Sequence, residues 1–209
     1  MTSEFLVYAV IGFVAQLVDG TIGMAYGVIS TVALLSAGVS PLNATANIHF
    51  AELVTGGLNG VFHTRRGHVS WPLVRRLVVS GSIGGAIGAL LLITFTPRSV
   101  ELVRNGVAAY LMVLGVWLCW RGWAPRVIRA DTTGRAGLLG LFGGLFDAAG
   151  GGWGPIVTSN LMVAGIPPRV AIGSSIVAEF AVTAVHVIVF AGLGGLRPDL
   201  GWRGCSPAE

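Results

Sequence analysis

The chain has 209 residues, 54 % of them hydrophobic and 11 % charged, with a formal net charge of +4 and a mean hydropathy of +0.79. A soluble domain carries about 25 % charged residues, so there is too little charge here to build a water-facing shell, and a soluble globular fold is excluded. The basic surplus does not point to nucleic acid: every basic residue is an arginine placed near the ends of apolar runs, where an arginine excess marks the cytoplasmic side of a membrane protein.

The first apolar stretch, Phe5–Gly38, would run about 50 Å as one helix, against a hydrocarbon core of roughly 30 Å. It must bend, and the glycines of "LVDGTIGMAYG" (Leu17–Gly27) mark the place. The opening "MTSEFLVYAVIGF" has neither the basic n-region nor the cleavage site of a signal peptide, so it is expected to stay in the mature protein. A proline turn leads into a helix carrying His49 and Glu52, then into the arginine-rich loop "HTRRGHVSWPLVRR". Helices Leu77–Phe95 and Val100–Trp120 follow, separated by a turn at Pro97, and then a linker, Arg121–Arg135. Arginines crowd both this linker and the Arg65–Arg76 loop, which places both on the cytoplasmic side with two spans between them. Beyond the linker comes a second glycine-broken segment, "LFDAAGGGWGP" (Leu145–Pro155), another proline turn, a helix to about Leu196 and a polar tail. The two cysteines, Cys119 and Cys205, give no disulfide framework and no metal-ligand spacing.

Gly12–Gly56 aligns with Gly140–Thr183. Asp19 falls on Asp147, Gly27 on Gly154 after a one-residue gap, and Ser36–Leu53 lies over Val163–Phe180 without one. The expected architecture is therefore all-α: a polytopic transmembrane helical bundle built from two sequence repeats with glycine-broken helices. The first repeat occupies residues 1–120, the linker 121–135 and the second repeat 136–209. Counterparts of Leu77–Phe95 and Val100–Trp120 are missing from the second repeat, which is read as a truncated copy. Internal repeats with a site at their interface are the construction rule of secondary transporters. Whether the repeats are inverted or parallel is left open.

Unwound backbone at membrane depth survives only where it lines protein or a watery cavity. A helix that restarts there presents N–H groups and a positive dipole end, which suits an anion. Gly23 and Gly27 in one repeat, with Gly151, Gly152 and Gly154 in the other, are the expected linings; close helix packing is the competing use of these glycines. Asp19 and Asp147 stand just before the breaks, either capping the restarting helix or exchanging a proton. Glu52 and Glu179 recur inside apolar helices. Glu179, Thr183 and His186 form one helical stripe, and His49 lies three residues before Glu52. These residues serve proton coupling or a structural polar network. A small polar face, Asn47 in one repeat with Ser174 and Ser175 in the other, could donate to an oxyanion or simply let helices approach. The glycine spacing in "GSIGGAIGA" (Gly81–Ala89) reads as packing, and Trp117, Trp120 and Trp123 as interfacial anchors.

The string "GGLFDAAGGGWGPIVTSNLMVAGIPPRVAIGSSIVAEF", its degenerate first copy, the "RRGHVSW" loop and "GSIGGAIGA" resemble the sulfite exporter TauE/SafE family of membrane permeases over nearly the whole chain. The resemblance implies seven or eight spans and movement of a small sulfur-containing or organic anion such as sulfite or sulfoacetate, mostly outward, across the cell membrane. This chain departs from the family pattern in the two missing last helices and in "GTIGMAYG", where a plain glycine run is commoner. The expected partners are the anion and the lipid bilayer, with homo-oligomerisation left open. No enzymatic activity, cofactor, metal or nucleic acid is expected. Two rival readings are a cation or metal exporter using Glu52, Glu179, His49 and His186, and an intramembrane aspartyl protease using Asp19 and Asp147. Phe146 stands where such a protease has glycine before its second aspartate.

Overall fold

The structure, a computed structural model, describes residues 2–22, 24–123 and 132–193. Among these it contains eight α-helices, one π-helical turn and no strand. The helices are α1 (Thr2–Ile22), α2 (Tyr26–Ser36), α3 (Pro41–Arg65), α4 (Trp71–Phe95), α5 (Val100–Trp123), α6 (Thr132–Asp147), α7 (Ser159–Val163) and α8 (Pro168–Gly192), with the π-helical turn at Gly154–Thr158. The chain is an all-α bundle. Helix α4, the Val100–Trp117 part of α5, and α8 are long and apolar enough to cross a membrane.

The long first stretch bends where its glycines are: α1 ends at Ile22 and α2 starts at Tyr26. The second stretch bends more openly, with five non-helical residues from Ala148 to Gly152 before Trp153 restarts the helix. Pro155 lies in the first turn of that restart, where a missing N–H removes no intrahelical bond. The turn is wide, Ser159 N–H reaching back to Gly154 O, and the Ser159 hydroxyl also donates to the Pro155 carbonyl.

Both restarted helices end in the same way. Gly38 (φ +86°) follows α2 and Gly165 (φ +91°) follows α7. At each, a backbone N–H reaches back five residues, Val39 to Leu34 and Ile166 to Leu161, satisfying a carbonyl that the helix end leaves open. Glycine takes this left-handed conformation without a Cβ penalty. The next helices, α3 and α8, each start on a proline and run 25 residues.

The tightest packing is between α4 and α6, backbone against backbone. A Cβ on Gly84 would overlap the Leu141 carbonyl, one on Gly88 the Leu145 carbonyl, and one on Gly144 the Gly81 carbonyl. The "GSIGGAIGA" stripe is thus a packing surface met by glycines of α6, the small-residue contact expected where lipid offers no hydrophobic drive. Helix α4 also packs on α8, and α8 on α3, so these four form the centre of the molecule. Leu77, Trp153, Val157, Leu161 and Val182 are buried there. The outer surface is apolar, with Leu58 and Leu102 each 70 % exposed, as a bilayer requires.

Two boundaries differ from expectation. Helix α5 continues to Trp123 and α6 begins at Thr132, so helix occupies both ends of the expected 121–135 linker. Polar residues mark where hydrocarbon ends, but a helix makes its own backbone hydrogen bonds and continues into the interface. Helix α8 ends at Gly192, earlier than the expected Leu196; the polar tail and Cys205 lie outside the described residues.

Candidate functional site

Each break is held by an aspartate that precedes it. Asp19 Oδ1 accepts Ala25 N–H at 2.8 Å and Tyr26 N–H at 3.2 Å. Asp147 Oδ1 accepts Gly152 N–H and Trp153 N–H, both at 3.0 Å. The offset of one residue between the two caps equals the gap in the sequence alignment. These amides, expected to be free for an anion, are therefore already engaged by carboxylates of the chain itself. What each restarting helix has left to offer is the remaining N–H groups of its first turn.

The two breaks touch. A Cβ on Gly27 would fall 2.7 Å from Gly151 Cα and 2.9 Å from Glu52 Oε1, and one on Gly154 2.6 Å from Met24 Cβ. Gly150 (φ +130°) and Gly151 (φ +91°) supply the left-handed backbone that carries the second break across to the first. The Thr31 hydroxyl of α2 ties the contact by donating to Gly150 O at 2.9 Å. Between the breaks lies a cleft of about 50 Å³ bordered by Asp19, Gly27, Glu52, Gly151, Gly154 and Glu179, with room for a few water-sized groups.

Of the residues expected at the site, Gly27, Gly151, Gly154, Asp19, Glu52 and Glu179 come together at this cleft. Gly23 lies outside the described residues. Gly152 is turned away from the cleft, its Cβ position filled by the Tyr110 hydroxyl and by Phe146. Asn47 is exposed and donates to the Asn43 carbonyl at 2.8 Å. Ser174 accepts Ser70 N–H at 2.9 Å. Ser175 accepts Trp153 Nε1–H at 3.0 Å and lies 2.6 Å from the Thr158 hydroxyl. The small polar face of α8 is thus occupied in fastening α4 and the second restart, and it donates nothing to the cleft.

The histidines part company with the glutamates. Thr183 borders the cleft with Glu52 and Glu179, whereas His49 and His186 converge on Asp147 Oδ2, at 3.5 and 3.7 Å. Their rings meet edge to face, centroids 4.4 Å apart. The His49 and His186 side chains are 0 % exposed and that of Asp147 is 1 % exposed. Asp147 therefore takes part in two arrangements, capping with one oxygen and facing two imidazoles with the other.

Trp153, Thr31 and Tyr110 were not among the residues expected at the site. Trp153 is wholly buried and locks the restart onto α8, and Tyr110 stacks on Phe146 with centroids 5.0 Å apart. The signal for Trp153 was its place inside "GGGWGP", since a large aromatic ring amid glycines has to be packed by something. Nothing in the local pattern marked Thr31 or Tyr110.

Comparison with known proteins agrees with the helical, lipid-facing architecture. The family model described as "Sulfite exporter TauE/SafE" matches residues 8–206. The "Probable membrane transporter protein YtnM" of Bacillus subtilis (strain 168) is 35 % identical over 208 residues, a match covering 96 % of this chain and 66 % of that relative. The chain thus spans slightly less than two thirds of the relative's length. No solved structure matches it.

Proposed function

The chain belongs to the sulfite exporter TauE/SafE family, and we propose that it is a permease carrying a small sulfur-containing or organic anion, such as sulfite or sulfoacetate, outward across the cell membrane by alternating access. The site in this reading is the cleft where the two broken segments meet. The observation that carries it is the contact of Gly27 with Gly151 and of Gly154 with Met24, which brings two helix restarts, each a positive dipole end, to one small cavity. The family and the name of the Bacillus relative, a membrane transporter, support the same reading.

Charge sets a condition on it. Among the described residues that border the cleft there is no arginine, whereas Glu52 and Glu179 border it. An anion beside two ionised carboxylates is repelled, strongly so at low dielectric. The anion therefore travels when these carboxyls carry protons, and substrate and protons move together.

The test is flux of labelled sulfite, sulfoacetate and thiosulfate in proteoliposomes holding the full chain, with and without a pH gradient. The reading expects movement of at least one oxyanion, driven by the gradient, and at least tenfold less gradient-driven movement in Glu179→Gln. Failure of the chain to move any oxyanion refutes it. The protease reading finds no support in the geometry, because Oδ1 of each aspartate is committed to two backbone amides. The four-residue cation set finds none either, since its glutamates and histidines face different spaces.

A further inference from the structure

We propose that His49, Asp147 and His186 form a resident binding site for one divalent transition-metal ion of the zinc type, which clamps α3, α8 and the second break together. The argument starts from the tautomer of His49. Its Nδ1 lies 2.8 Å from the Thr45 carbonyl oxygen, which is only an acceptor, so Nδ1 carries the proton and donates. In the neutral ring Nε2 then bears a lone pair, and that lone pair faces Asp147 Oδ2 at 3.5 Å. Two electron-rich atoms opposed in a buried space repel unless something positive lies between them.

His186 Nδ1 approaches the same oxygen from α8 at 3.7 Å. Asp147 Oδ2, His49 Nε2 and His186 Nδ1 face one another without a partner at hydrogen-bond distance, although the three side chains are at most 1 % exposed. Burying polar atoms without partners is costly, and here three of them cluster, all potential ligand atoms and within 4.8 Å of one another.

A proton shared between one histidine and the aspartate would draw that pair to about 2.7–2.9 Å and would leave the other imidazole unpartnered. The observed separations instead suit a common ligand. Zinc holds histidine nitrogen and carboxylate oxygen at about 2.0–2.2 Å in tetrahedral geometry, which places ligand atoms about 3.3–3.6 Å apart, a short contraction from what is seen. Two imidazoles and one carboxylate are a donor set of intermediate hardness suited to zinc and its neighbours rather than to magnesium. The supporting contacts are also of the kind metal sites use: Thr45 O orients one histidine, and two backbone amides hold the other oxygen of the aspartate.

The site stands behind the cleft rather than in it. His49 is three residues from Glu52 on α3, and His186 three from Thr183 on α8, so each histidine lies about one helical turn from a residue that borders the cleft. A metal there joins one helix from each half of the chain to the segment that must move if the breaks open.

The experiment titrates the purified full-length protein, stripped with a chelator, with Zn²⁺ and with Co²⁺ as an absorbing substitute. About one equivalent should be retained, Co²⁺ should show the intense visible bands of a tetrahedral nitrogen–oxygen site, and Zn²⁺ but not Mg²⁺ should raise the unfolding temperature. His49→Gln and His186→Gln, which leave the Asp147 cap in place, should each weaken Co²⁺ binding at least tenfold. Wild-type protein that takes up no more Co²⁺ than a chain carrying both His49→Gln and His186→Gln, or whose unfolding temperature is unmoved by Zn²⁺, overturns the proposal. The unfolding measurement needs only the wild-type chain, so it decides the matter even if the variants fail to fold.

Discussion

At the first break, Asp19 caps α2 from a half-buried position, and the chain leaves helix for only a few residues. At the second, Asp147 makes the same two bonds from a fully buried position, the interruption is longer, and two glycines with positive φ shape it. The capping bonds are alike in kind and length, so the cap alone does not set the two regions apart. The surroundings do: the second break's cap, Asp147 with Gly152 and Trp153, is enclosed by α3, α4 and α8, while at the first break Asp19 and Tyr26 border the cleft. One local device thus has different consequences, because an unsatisfied donor is expensive only where water cannot reach it.

That contrast can be broken or sharpened by substitution, with unfolding measured in detergent micelles. Asp147→Ala should have the largest effect. It strands the buried Gly152 and Trp153 amides, each costing about 1–3 kcal/mol, for a total of roughly 3 kcal/mol or more. Gly151→Ala comes next, at about 2 kcal/mol or more, because a left-handed non-glycine residue is strained by about 1–2 kcal/mol and its Cβ would strike Gly27. Asp19→Ala should cost about 1 kcal/mol, the usual value of a cap, because water in the cleft that Asp19 and Tyr26 border can reach the freed donors. If Asp19→Ala proved as damaging as Asp147→Ala, the distinction between an enclosed and an accessible break would be lost. Thr31→Val removes the bond to Gly150 O and should cost about 1 kcal/mol, while also loosening the contact between the breaks. Gly20→Ala should be the mildest. Nothing lies within 4 Å of its Cβ position, so the higher helix propensity of alanine should stabilise α1 by at most about 1 kcal/mol.

Much of this was legible in the linear pattern. The bend near Asp19–Gly27 followed from a stretch too long for the bilayer, and the matched prolines Pro41 and Pro168 marked the starts of α3 and α8. The "GSIGGAIGA" stripe read as a packing surface because small residues at that spacing have little other use between apolar helices. The site was legible only in part. The aspartates were expected beside the breaks, with capping as one of their two possible uses, and Glu52 and Glu179 were noticed as carboxylates in apolar helices. Their grouping was not. Helical spacing put Glu179 and His186 on one stripe of α8 and His49 beside Glu52 on α3, yet the space around α8 separates what its surface unites, carboxylates to the cleft and imidazoles to Asp147.

By itself, then, the amino-acid order determined that the chain is helical, that it is solvated by lipid, and where its helices must break, because these depend on composition, run length and the backbone freedom of glycine. Only the packed bundle decided that the two breaks meet, that the amides expected to attract a solute are capped from within, and that two histidines far apart in sequence share one carboxylate. Such outcomes depend on which helix faces lie against each other, and a stripe of small residues permits close approach without specifying the rotation or the partner.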